Sequence, residues 1–306
     1  AMKWKNVVII TVVASCVWTV AGVLSAQATQ PNTNGRMAFQ MDFGIGAEIY
    51  TIKPSGRGIH QLTEVDGSAE SPDWSPDGSL LAFEIVDQGI WTVKADGSGM
   101  QQAVASGFQP AFTPDGNHLV YECADCSGGD GIFLMQADGS DAPGTRLSTN
   151  PAGYEGDTNP EVSPDGQTVT FVRRKAEGER QALFAVDIDG TNPRQVVPYR
   201  FNVFIKHDWA PDGEHIVFTS SMNDRANVYT VAPDGSHRVQ LTHVRPDIGA
   251  IAGSYSPDGR WIAFRWENPS IGVYRLMRMH PNGTDRSTIT TAPTGPRFID
   301  WGPGST

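Results

Sequence analysis

Basic residues are scarce in this chain. It carries 23 lysines and arginines against 34 aspartates and glutamates over 306 residues, a formal net charge of −11. A protein that grips phosphate needs a basic face, so nucleic acid is excluded as the expected partner. Cysteine is scarcer still, with three in all, and Cys16 falls in the N-terminal leader. The other two form C-A-D-C, Cys123 to Cys126. Zinc would need two further ligands that the neighbourhood lacks. Covalent haem attachment would need histidine where Ser127 stands, and a thioredoxin-like role needs a βαβ context. In an exported chain this pair is expected to form a local disulfide. What the chain has in plenty is glycine (33) and proline (21), the composition of a protein rich in tight turns.

Residues 1–28 read AMKWKNVVIITVVASCVWTVAGVLSAQA. Lys3 and Lys5 precede an uncharged run over 7–26, and Ala26-Gln27-Ala28 is an A-x-A cleavage signature, the pattern of a secretory signal peptide. At about 1.5 Å per residue the same run is long enough to span a bilayer as a retained anchor. Val13-Ala14-Ser15-Cys16 also has the form of a lipidation site. All three routes export the bulk of the chain, to the periplasm or the outer face of the cytoplasmic membrane. Membrane contact is expected only through residues 7–26, and only if the leader is retained.

Beyond the leader one phrase recurs. It stands at 71–83 as SPDWSPDGSLLAF, then as TPDGNHLVY from Thr113, SPDGQTVTF from Ser163, APDGEHIVF from Ala210 and SPDGRWIAF from Ser256. Repeats at roughly 40–50 residues point to blades around an axis. Each phrase is followed by a second turn, as in IWTVKADG or VYTVAPDG, and the intervening segments alternate β-branched and aromatic residues, the pattern of four short antiparallel strands per unit. A sixth unit is split: NGRMAFQ and AEIYTIKPSG stand near the N-terminus, and PRFIDWGPG near the C-terminus completes them. The expected fold is therefore an all-β, six-bladed propeller over 35–303, closed by pairing of N- and C-terminal strands so that no sheet edge stays open. In S-P-D-G, proline presets the first central residue, aspartate tolerates the second and bonds locally, and glycine takes the positive φ. The repeated acids Asp77, Asp115, Asp165, Asp212 and Asp258 are thus turn architecture.

The W-S-P-D-G-x-x-[IL]-A-F phrase with its following D-G turn resembles the repeat of TolB-type β-propellers, shared by the C-terminal domain of TolB and the propellers of prolyl oligopeptidase-like peptidases. The resemblance covers 35–303. TolB carries an α/β domain ahead of its propeller, where this sequence has only residues 29–34 between leader and first repeat. The peptidases append an α/β-hydrolase domain, whose G-x-S-x-G nucleophile elbow has no counterpart here.

Two regions stand out as candidate sites. The innermost strands align as SPDW, QPAF, NPEV, KHDW, AGSY and FIDW, which places Asp73, Glu161, Asp208 and Asp300 around one pore. Four carboxylates there repel one another unless paired or bound to a cation; they suit Ca²⁺, or act as an acidic channel with Lys206 and Arg297 as partners. The fourth position (Trp74, Phe112, Val162, Trp209, Tyr255, Trp301) is expected to pack between blades. The second region is the rim opposite the S-P-D-G turns, where loop length varies most. Its connections at 151–159, 198–208 and 243–253 include PYRFNVFIKH, with Tyr199, Arg200, Phe201, Phe204 and Lys206, and nearby His243 and Arg245. Aromatics and arginine are what protein interfaces concentrate at their hot spots. The leading expectation is a non-catalytic scaffold that engages a protein partner there, as an accessory subunit of a membrane complex if the leader stays. The alternative is a carbohydrate-active lyase or hydrolase at the channel mouth, with His207, Asp208 and His243 as an acid–base set.

Overall fold

A computed structural model describes residues 33–124, 126, 129–176, 180–222 and 225–304. The leader at 1–28 lies outside the described residues, and among those described no helix is long and apolar enough to cross a membrane.

The repeated turn closes on its own side chains. In the turn at 75–78 the Ser75 hydroxyl donates to Asp77 Oδ1 at 2.7 Å and accepts the Leu80 N–H at 2.9 Å, while Asp77 Oδ1 accepts the Ser79 N–H at 2.9 Å. Gly78 (φ +70°) donates back to the Ser75 carbonyl at 2.8 Å. Thr113, Ser163 and Ser256 clamp their own turns in the same way. Local chemistry alone therefore reverses the chain at these points and starts the next strand in register.

Each turn opens a four-stranded antiparallel sheet, and six such sheets form the ring. Blade 1 is β1 (Asn34–Asp42), β2 (Ala47–Ile52) and β3 (His60–Gln61); blade 2 is β4 (Ala69–Trp74), β5 (Leu80–Ile85), β6 (Gly89–Lys94) and β7 (Gln101–Val104). Blade 3 is β8 (Phe108–Phe112), β9 (His118–Cys123), β10 (Gly131–Gln136) and β11 (Thr145–Arg146); blade 4 is β12 (Tyr154–Val162), β13 (Thr168–Lys175), β14 (Gln181–Asp187) and β15 (Arg194–Val197). Blade 5 is β16 (Val203–Trp209), β17 (Ile216–Ser220), β18 (Asn227–Val231) and β19 (Val239–Gln240). Blade 6 is β20 (Gly249–Tyr255), β21 (Ile262–Asn268), β22 (Val273–Met279) and β23 (Ser287–Ala292). The innermost strand of blade 1 comes from the other end of the chain: β24 (Arg297–Pro303) pairs with β1, setting Met37 opposite Trp301 and Ala38 opposite Asp300. Gly304 then donates to the Thr33 carbonyl at 2.7 Å. The expected closure is borne out.

The core is a ring of six interfaces between neighbouring blades. Between blades 2 and 3, Ala82 and Ile90 meet Phe112, Leu119, Tyr121 and Phe133. Every second strand contributes a small residue followed by a large ring: Ala38-Phe39, Ala82-Phe83, Val120-Tyr121, Thr170-Phe171, Val217-Phe218 and Ala263-Phe264, all fully buried. Side chains alternate faces along a strand. The large ring fills the interface with the preceding blade, and the small residue leaves room for the innermost-strand residue of the next: Ala38 clusters with Trp74, Ala82 with Phe112 and Ala263 with Trp301.

Candidate functional site

The innermost strands are not straight. Ser71, Gln109, Asn159, Ile205 and Phe298 take left-handed backbone conformations with φ between +47° and +62°, and the ladder to each second strand skips residues there. These bulges re-aim the residues that follow. In blades 1, 2 and 5 the third-position carboxylate then reaches the next blade. Asp300 Oδ2 accepts the Trp74 N–H at 2.8 Å, Asp73 Oδ2 the Phe112 N–H at 2.7 Å, and Asp208 Oδ2 the Tyr255 N–H at 2.7 Å. In blade 6 the Ser254 hydroxyl does the same for Trp301 at 3.0 Å. The acids around the pore stitch blade to blade.

Lys206 answers their charge. In blade 5 the left-handed residue is Ile205, a β-branched side chain for which φ +62° costs about 1–3 kcal/mol. The following lysine is carried into the channel, where Nζ lies 2.9 Å from Glu161 Oε1 and 3.8 Å from both Asp73 Oδ1 and Asp300 Oδ1. This corrects the rim placement expected for Lys206, which is 5% exposed. Burial opposes its charge, but Glu161, Asp300 and Asp73 outweigh that and push its pKa up. Burial also raises the carboxylates: Asp73 goes well above the usual range with Asp300 adding to the shift, Glu161 to about 8 and Asp208 to about 7. For the Ca²⁺ reading the consequence is direct. Both oxygens of Asp73 and of Asp300 already have partners, an N–H on one and the ammonium on the other. The donor set does not fit a metal while Lys206 stands among it.

On the S-P-D-G side the channel opens into a recess of about 130 Å³. Its floor is Asp73, Glu161, Asp208 and Asp300, its collar the fourth-position residues from Trp74 round to Trp301, and its lip Pro76, Pro114, Pro164, Pro211, Pro257 and Pro303. A groove of about 310 Å³ between the turns of blades 2 and 3 shares Ser75, Pro76, Phe112 and Pro114 with it. Lys206 sits at the opposite, narrow mouth, a cavity of about 20 Å³ that it lines with Ser71, Gln109, Asn159 and Phe298. The collar residues were legible in the sequence as packing, and they do pack; that the same rings frame an opening depends on all six blades at once.

The loop-rich rim is less concerted than expected. Tyr199 packs toward Tyr154 and Phe184, with Lys175 over its ring, and Phe201 meets Tyr229 edge-on. Both fold back on their blades. Phe204 (38% exposed), Arg200, His243 and Arg245 face solvent. His207 is fully buried, bonded through Nε2 to the Thr170 hydroxyl at 2.8 Å, and burial together with Lys206 lowers its pKa to about 3. It stays neutral and faces away from Asp208, so it forms no acid–base set with His243. Cys123 and Cys126 are disulfide-bonded at the end of β9.

Comparison with known proteins agrees with this architecture. The TolB β-propeller domain model matches residues 98–304. A TolB homolog from Chlorobium luteolum is 30% identical over 202 residues, covering 62% of this chain and 42% of that protein. The chain spans 60% or less of the curated relatives it matches. Among solved structures, TolB from Acinetobacter baumannii superposes with a TM-score of 0.70 at 18% identity, covering 88% of this chain and 67% of that one. An oligogalacturonate lyase in complex with manganese shares the fold at a TM-score of 0.56 and 13% identity, covering 85% and 73% of the two chains. The chain belongs to the TolB β-propeller family.

Proposed function

We propose that this chain is an exported, non-catalytic binding scaffold that docks a protein partner in the recess on the turn rim. If the leader is retained, it does so as an accessory subunit of a membrane-bound complex. The observation that carries the reading is the recess itself, to which all six blades contribute, with tryptophan, tyrosine and phenylalanine as its collar. Packed between blades and at most 8% exposed, these rings hold the opening in a fixed shape, and a preformed opening spares a partner the cost of ordering it. A lyase or hydrolase would draw on histidine or arginine for proton transfer and charge stabilisation. The recess lining contains neither, and His207 is turned away and neutral, which favours binding over catalysis. The A-x-A leader supports export.

The test is photo-cross-linking in cells of the native host. A photoreactive residue at Pro114 or Pro211, on the recess lip, is expected to trap one discrete protein. The same probe at Phe204 or Arg245 is expected to trap little. Adducts confined to Phe204 and Arg245 would move the docking face to the loop-rich rim. Release of unsaturated or reducing sugar ends from a polysaccharide by the purified protein would overturn the non-catalytic role.

A further inference from the structure

We infer that the recess is built to take a basic side chain, arginine or lysine, presented on an extended segment of the partner. The inference rests on the docking reading above and adds the chemistry of what docks. Seen from the open side, the floor presents four carboxylates and no cation, because Lys206 reaches them from the far mouth. Among the described residues no lysine, arginine or histidine lines the recess or the groove beside it. Above the floor stand Trp74, Phe112, Trp209, Tyr255 and Trp301. Packed between blades and at most 8% exposed, these rings form a rigid apolar wall, which the weakly hydrated guanidinium passes at less cost than an ammonium does. A bare divalent ion is the poorer fit, since Asp73 and Asp300 have both oxygens committed.

The adjoining groove extends the same chemistry outward. Asp77 and Asp115 line it. Partial burial works against their ionisation, but the Ser75 and Thr113 hydroxyls and the Ser79 and Asn117 N–H groups hold both below the usual carboxylate range, so they remain charged. A recess of about 130 Å³ leading into a groove of about 310 Å³ has room for one long side chain and a short stretch of backbone. Charge complementarity therefore selects a basic, extended segment over an acidic or a folded one.

Binding of this kind has a pH signature. The titratable groups facing the floor are Asp73 on β4, Glu161 on β12, Lys206 and Asp208 on β16 and Asp300 on β24; β8 and β20 contribute Ala111 and Ser254, which do not titrate. The collar phenol of Tyr255 is pushed up by burial and stays protonated. Glu161 and Asp208, with pKa values of about 8 and 7, are partly protonated at neutral pH. An incoming cation favours their ionised forms, so binding releases protons and tightens as pH rises from 6 to 8.

The experiment uses the full propeller with its tryptophans ¹⁵N-labelled and two blocked peptides, acetyl-Gly-Pro-Arg-Pro-Gly-amide and the same peptide with neutral citrulline for arginine. The arginine peptide is expected to shift the indole resonances of the collar tryptophans, roughly tenfold more tightly than the citrulline peptide, and more tightly at pH 8 than at pH 6. Asp208→Asn is expected to weaken the pH dependence while the folded spectrum persists. Equal shifts by the two peptides, or shifts confined to tryptophans outside the collar, would overturn the inference. Cross-links from Pro114 or Pro211 without arginine selectivity would also overturn it and leave the docking reading standing; loss of those cross-links would sink the docking reading first.

Discussion

Thr170 shows how one hydroxyl can hold a junction. It replaces the alanine or valine found at the equivalent position of the other five blades, accepts the Trp209 indole N–H at 2.9 Å and bonds His207 at 2.8 Å. Trp74 and Trp301, which meet Ala38 and Ala263 instead, have buried indole N–H groups without a partner among the described residues. Thr170→Val keeps the shape and removes both bonds, so it should cost about 1–3 kcal/mol, read as a lower urea midpoint. Lys206→Met should cost more, about 3–5 kcal/mol at pH 8, because it leaves the acids of the channel floor without their counter-charge. Its penalty should shrink toward pH 5 as Glu161 and Asp208 take up protons; a pH-independent penalty would argue against the floor electrostatics. The role of Lys206 was only half legible in the sequence. Its pairing with the acids follows from the K-H-D-W alignment, but its aim depends on Ile205 accepting a left-handed conformation that β-branched residues avoid. Tyr199 and Phe201 misled for the opposite reason: an inter-blade crossing must cover apolar surface, and the rings nearest to it do so.

At the scale of strands, β24 is the element on which the ring depends. Without it β1 would expose its ladder, and Trp301 would leave the interface it fills with Met37, Phe39 and Ala263. Deleting 297–304 should replace a single cooperative melting transition by a broad one, followed by calorimetry; an unchanged transition would contradict the closure. The blade pattern was legible because the turns that begin with Ser75, Thr113, Ser163 and Ser256 are self-sufficient, their hydroxyls and carboxylates bonding their own backbone within five residues. The recess was not legible as a binding site, because its collar needs the fourth residue of six strands brought together across gaps of roughly 40–50 residues. In sequence those positions read only as core.

The ring carries shielded acids beyond the channel floor, Glu84 buried and Glu122 half-buried. Burial pushes Glu84 to about 7 and Glu122 to about 8, with Glu70 and Glu84 respectively adding to the shift. Together with Glu161 and Asp208 they have folded-state pKa values above the roughly 4 of an unfolded carboxyl. Between about pH 4 and pH 8 the folded state therefore binds more protons than the unfolded one, and stability falls as pH rises through that window. The melting temperature should be higher at pH 5.5 than at pH 8.5, and Glu122→Gln should flatten the dependence; a rise in stability with pH over this range would contradict the burial of these acids. The seam between Thr33 and Gly304 has a further consequence for attachment. It closes beside Pro303 on the lip of the recess, so Thr33 stands on the face that holds the opening. A tether on that side would point the opening at whatever surface it is fixed to and raise the local concentration of partners embedded there. A reporter fused ahead of Thr33 would stand over the entrance, whereas one inserted between Phe43 and Gly46 would hang from the far face and leave it clear.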